Sequence, residues 1–253
     1  MIRKFKKDKL EVRLYEDRAA SGSDAARCVI EKVQELLAVQ PQVNIIFAAA
    51  PSQNEFLQAL RKAPLEWERI NAFHMDEYIG LKGNAPERFG SFLYNAIFGK
   101  VPFRSVHYLN GNEQDITRYS DLLTQYPTDI VCMGIGENAH IAFNDPPVAD
   151  FNDPYRVKVV ELDEACRIQQ VNDKCFATFA DVPTHAITLT IPALMAARFV
   201  YCIVPGPTKA NAVYNTLHGE LRESVPATAL REHENAIMFI DQKSGSLLAG
   251  LDV

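Results

Sequence analysis

Between Glu137 and Asp145 the chain places a carboxylate, an amide (Asn138), an imidazole (His140), a second amide (Asn144) and a second carboxylate. An imidazole exchanges protons near neutral pH, and a positioned carboxylate takes or gives one during reaction. Gly134 and Gly136 precede these groups and, lacking Cβ, allow a tight bend or the close approach of a ligand. Asn and Asp also serve ordinary turns, and a lone histidine can be a structural residue. Three further segments tip the balance toward an active-site loop. Ala49-Ala50-Pro51-Ser52 and Pro205-Gly206-Pro207-Thr208-Lys209 place Ser52, Thr208 and Lys209 at helix starts, where free N–H groups and the helix dipole favour an anion such as phosphate. Met75-Asp76-Glu77-Tyr78 adds carboxylates after an apolar run.

These groups need a scaffold that brings them together. Short apolar β-branched runs predict strands at 43–48, 69–75, 106–109, 129–133, 157–162, 186–191, 199–204 and 236–240, with 10–15 as an edge strand. Helical spacing predicts helices between them. One is capped by Ser23 or Asp24, and one is opened by a capping box, Ser52-Gln53-Asn54-Glu55. Others run near Phe89 to Phe98, Ile116 to Tyr126 and Arg167, and one runs from Pro207 to a C′ glycine at Gly219. Strands alternating with helices imply an α/β fold: a Rossmann-like three-layer sandwich with a mostly parallel sheet covered by helices on both faces. With no repeat or linker, residues 1–253 are expected to form a single domain. Ligands bind such sheets outside the carboxyl ends of the strands, so all four segments are expected on one rim.

Composition narrows the function. A formal charge of −6 with interspersed signs offers no basic patch for nucleic acid or an anionic membrane. No segment reaches the roughly 20 apolar residues of a membrane span, and the basic start at Met1 to Lys9 has no apolar stretch behind it, so a cytoplasmic protein is expected. The five cysteines are scattered, without a C-x-x-C pair, and read as reduced thiols; a zinc site is not expected.

Together these residues resemble the glucosamine-6-phosphate deaminase/isomerase family, which shares its fold with 6-phosphogluconolactonases. Met75-Asp76-Glu77-Tyr78-Ile79-Gly80-Leu81 is similar to that family's M-D-E-Y-x-G-L segment. The stretch from Gly134 to Pro146 is similar to its G-x-G-x-D-G-H-I-A-F-N-E-P loop, and Gly206 to Ala210 to its G-x-x-K-A segment. The resemblance implies that Asp76 moves a proton from C2 to C1 of an open-chain sugar, that His140 assists ring opening, and that Asp145 orients His140. It also implies a phosphate cradle formed by Lys209, Thr208, Gly136 and the loop holding Ala50 and Ser52. The expected reaction turns a hexosamine 6-phosphate into a ketose 6-phosphate and ammonium. It needs no metal or redox cofactor, and the expected partner is a phosphorylated sugar, with association into a homo-oligomer left open.

Departures from the pattern sharpen these expectations. Asn138 stands where the family has Asp, Asp145 where it has Glu, and Ala139 where it has Gly. The family's active-site arginine falls near Asn172, with Arg167 or Lys174 as candidate replacements, and Arg156 and Lys158 resemble residues of an effector-phosphate site. A lactone hydrolase using His140 to activate water, and a sugar-phosphate binder without catalysis, are the competing readings.

Overall fold

A computed structural model describes residues 1–248. Its strands are β1 (Arg3–Lys7), β2 (Leu10–Tyr15), β3 (Val43–Phe47), β4 (Ile70–His74), β5 (Asp76–Tyr78), β6 (Ser105–His107), β7 (Ile130–Met133), β8 (Val157–Glu161), β9 (His185–Leu189), β10 (Phe199–Val204) and β11 (Ala236–Asp241). Its α-helices are α1 (Arg18–Leu37), α2 (Asn54–Leu60), α3 (Phe89–Leu93), α4 (Asp115–Gln125), α5 (Glu164–Asn172), α6 (Ile191–Met195) and α7 (Ala210–His218). The fully buried β3, β4 and β7 lack polar alternation because both faces of their sheet are covered. That sheet has eight strands in the order β1-β2-β11-β10-β7-β3-β4-β6. Every pairing in it is parallel except the β1–β2 hairpin. Two hydrophobic clusters, one led by α1 and α2 and the other including residues of α4 and α7, fill its two faces. This is the mostly parallel α/β sandwich that the alternation of elements implies.

Four local readings change. Leu10–Tyr15 is not the edge: the lysine-rich β1 pairs outside it, and a charged outer strand resists edge-to-edge association. α1 begins at Arg18, five residues before Ser23, because Asp17 accepts from Ala20 N at 2.8 Å and caps it. Asp24 instead bonds Tyr15, Arg13 and Arg27. No capping box forms at Ser52, since a 3₁₀ turn (Pro51–Gln53) leads into α2 and Glu55 turns away to Arg18. Gly219 ends α7 without a left-handed turn, at φ −68°.

A second sheet lies outside the sequence reading. β5, β9 and β8 form three antiparallel strands in the order β5-β9-β8. Only Met75 separates β5 from β4, so the chain leaves the large sheet and enters the small one at the start of the Asp76 segment. The small sheet also holds the 134–147 loop: Phe143 N donates to Thr188 Oγ1 at 3.1 Å, and Asn144 Nδ2 to Leu189 O at 2.8 Å. All five cysteines are free, and no helix among the described residues is long and apolar enough to cross a membrane.

Candidate active site

The four segments meet in one cleft at the carboxyl ends of β3, β4, β7 and β10. Its lining includes Ala50, Ser52, Asp76, Gly136, His140, Thr208 and Lys209. Asp145 lies directly behind His140, its Oδ1 2.7 Å from His140 Nδ1. The carboxylate oxygen sits off the N–H direction, so the two groups are in close contact without an aligned hydrogen bond. Burial alone would raise the Asp145 carboxyl; the adjoining His140 ring and donors from Asn138 and Cys166 outweigh it and hold the group below its ordinary value. The His140 ring also packs on Gly136, where an added Cβ would stand 2.2 Å from Cε1. Gly136→Ala should therefore turn the imidazole out of place and lower turnover about 10²-fold, the scale of a displaced proton-transfer group, without abolishing phosphate binding. Turnover and phosphate affinity, measured side by side, check this; unchanged turnover would show that the ring position is immaterial.

Asn138 does not face the imidazole ring. Its Nδ2 donates to Asp145 Oδ1 at 3.1 Å, and its Oδ1 accepts from the His140 backbone N at 3.1 Å. An aspartate in this position would set two carboxylates against each other, and one would have to keep its proton. Asn138 and Asp145 thus fit as a pair: the amide supplies the donor that the shorter acid needs. Asn138→Asp is expected to lower activity on a cyclic substrate rather than raise it. In the parent, Asp145 contributes stability above the ordinary carboxylate value that is lost as pH falls through its depressed value. In the variant the raised carboxyl reverses the trend, so that stability falls as pH rises through the raised value. Melting curves at pH 4 and pH 8 test this; an equal penalty at both would refute the pairing. The neighbouring Ala139 adopts φ +66°, a left-handed conformation that costs an alanine about 1–2 kcal/mol and suits glycine better.

Asp76 and Lys209 are both buried, with no hydrogen bond or ion pair to their side chains among the described residues. Desolvation, helped by the charge of Glu77, raises the Asp76 carboxyl well above its ordinary value. Glu77 is itself committed: it accepts from the backbone N–H groups of Tyr78, Phe89 and Gly90 and pairs with Arg88. Desolvation lowers the Lys209 ammonium, against the opposing charges of Asp173 and Glu137. Burying an unpaired charge is costly, and groups perturbed in this way cluster at functional sites. Ser52 Oγ accepts from Gln53 Nε2 at 3.1 Å and keeps its own proton to donate. Ala50 sits at the start of the 3₁₀ turn and Thr208 is exposed at the cleft wall.

Arg167 is not in the cleft. Its guanidinium stacks 4.0 Å over Phe179 and donates to the carbonyls of Phe179 and Val182, bracing the loop after α5. Lys174 also points elsewhere, into a shallow hollow with Leu81 and Glu87. Asn172 reaches Glu137, and the residues of α5 and its C-cap that line the cleft are Gln169, Gln170 and Asp173. Lys158 is tied to Asp153 at 2.8 Å and to Val148 O, which removes it as a free effector ligand. Arg18, Gln53, Phe89 and Phe143 also line the cleft, and the sequence gives none of them a site role. Arg18 had a signal: a cation in the first helical turn opposes the dipole. His140, Asp145 and Cys166 present donor atoms within 4.8 Å of one another, and desolvation, with the charge of Asp145, raises the Cys166 thiol far above its ordinary value.

Fold and cleft define an α/β enzyme with buried acid–base groups and a buried lysine at the carboxyl rim of its sheet. The chain belongs to the family described as glucosamine-6-phosphate isomerases/6-phosphogluconolactonase, whose model matches residues 16–239. A glucosamine-6-phosphate deaminase of Bacillus cereus is 34% identical over 219 residues, covering 85% of this chain and 82% of its own length. One of Bacillus cytotoxicus is 36% identical over 192 residues, covering 74% and 71%. A solved structure of a monomeric glucosamine-6-phosphate deaminase, 28% identical, superposes with a TM-score of 0.84 over 93% of this chain and 99% of that one. The 6-phosphogluconolactonase of Thermotoga maritima, 19% identical, has a TM-score of 0.76 over 92% and 100%, and shares the fold.

Proposed function

We propose that the protein converts a hexosamine 6-phosphate and water to a ketose 6-phosphate and ammonium. The observation that carries this is Asp76: a buried carboxyl, raised by desolvation and without a protein partner, opening into the same cleft as His140 and Lys209. Lys209, Ser52 and the N–H groups of the two rim turns hold the phosphate. His140, supported by Asp145, passes a proton to the ring oxygen and opens the sugar. Asp76 then removes the C2 proton, made acidic by the C1 carbonyl, and returns it to C1. The enolamine becomes a ketimine, and water releases ammonium from it. The relatives at 34–36% identity support this reading over lactone hydrolysis, for which a carboxyl at the Asp76 position has no evident task.

The test is an ammonium-release assay with purified protein on glucosamine 6-phosphate and galactosamine 6-phosphate, run beside 6-phosphogluconolactone hydrolysis. Ammonium with an equimolar ketose 6-phosphate from at least one amino sugar is expected. Lactone hydrolysis without ammonium from either would replace the proposal with the hydrolase reading.

A further inference from the structure

The loop after α5 sets no basic side chain in the cleft, yet the cleft holds a second cation besides Lys209. Arg18 lines it from the first turn of α1. A cation at a helix N-terminus opposes the macrodipole, so its presence there asks for a reason other than helix stability. Its position follows from packing. Gly22, one turn further on and on the same face, lets α1 close onto α2 so tightly that a Cβ would stand 2.8 Å from Phe56 N and 2.9 Å from Glu55 Cβ. That approach lays the Arg18 guanidinium on the anion-binding turn itself. Nη2 donates to Pro51 O at 2.9 Å and to Glu55 Oε2 at 2.8 Å, and Nε lies 2.7 Å from Glu55 Oε1. Nη1 has no acceptor among the described residues, and 42% of the side chain is accessible.

We propose that Arg18 is the second anion-binding cation of the cleft, held by Glu55 and Pro51 so that its free Nη1 edge acts with Lys209 and Ser52 on the substrate phosphate. With Nη2 and Nε taken up by Glu55 and Pro51, the two N–H groups of Nη1 are the donors left for phosphate oxygens, and the rigid plane of the guanidinium fixes their direction. Glu55 fixes the fork in place, which lowers the entropy lost on binding. This rests on the phosphorylated-sugar reading above, but its probe is inorganic phosphate and needs no turnover.

Calorimetric titration of phosphate into the parent, Arg18→Ala, Arg18→Lys and Glu55→Gln proteins tests it. Arg18→Ala should weaken phosphate binding about ten- to hundredfold, the range for a charge-assisted hydrogen bond, with Arg18→Lys in between. KM for the phosphorylated substrate should rise in parallel. If Arg18→Ala binds phosphate like the parent, the residue only ties α1 to α2; Arg18→Ala and Glu55→Gln would then lower the melting temperature equally, and the proposal falls. Should Arg18→Ala fail to fold, Arg18→Lys decides: parental phosphate affinity would overturn the proposal, because an ammonium taken up by Glu55 and Pro51 leaves no fixed N–H edge for the phosphate. Ammonium release with an Arg18-independent phosphate site would leave the catalytic reading intact and this inference lost. Arg18-dependent phosphate binding without ammonium release would do the reverse.

Discussion

Asp76→Asn is expected to reduce turnover about 10²–10⁴-fold or more while the protein melts at or above the parental temperature. The loss follows because an amide cannot accept the C2 proton. The stability gain follows because the parental carboxyl has no partner and its charged form is penalised by burial. The folded state binds this proton more tightly than the unfolded chain does. Parental stability therefore falls as pH rises from the ordinary carboxylate value through the raised one, and the variant lacks this fall. The difference in melting temperature between variant and parent should thus be larger at pH 8 than at pH 4. A variant that is inactive but also less stable at pH 8 would identify Asp76 as a structural residue.

Lys209→Met is expected to raise KM for the phosphorylated substrate about ten- to hundredfold, with a much smaller change in kcat. In the proposed chemistry the ammonium holds the phosphate in ground and transition states alike and does not touch the reacting carbons. Its shift has the opposite sign to that of Asp76. Burial lowers it, so the unfolded chain binds more protons between the lowered value and 10.5, and parental stability rises with pH across that window. Methionine fills similar space without the charge and should be as stable as the parent or more so at pH 7. Parallel measurement of KM, phosphate inhibition and melting temperature checks this. Unchanged KM and phosphate inhibition would place the phosphate elsewhere in the cleft.

Much of this site is legible in the chain because parallel strands send their following loops to one rim. Asp76, His140, Ser52 and Lys209 converge for that reason alone, although Asp76 and Lys209 stand 133 positions apart in the sequence. What is not legible depends on packing partners rather than on local pattern. β8 and β9 read correctly as strands, but period and composition do not say which sheet a strand joins, and here they join Asp76–Tyr78 in a small antiparallel one. Arg167 is basic and near the expected position, yet Phe179 offers its guanidinium a ring face and two carbonyls, and those contacts win. Arg18 escapes notice when the helix start is placed at Ser23, because its meaning depends on its being the first helical residue. The role of Asn138 is likewise a property of its distance to Asp145, which no spacing in the sequence reveals.

The most direct test of the central claim is isotopic. The parent and Asp76→Asn are incubated with the accepted hexosamine 6-phosphate in deuterium oxide, and deuterium at C2 of recovered substrate and C1 of product is followed by NMR. The proposed chemistry predicts incorporation by the parent and its loss, by at least about 10²-fold in rate, in a folded Asp76→Asn protein that still binds phosphate. Incorporation by that variant at the parental rate would contradict Asp76 as the group that moves the proton between C2 and C1.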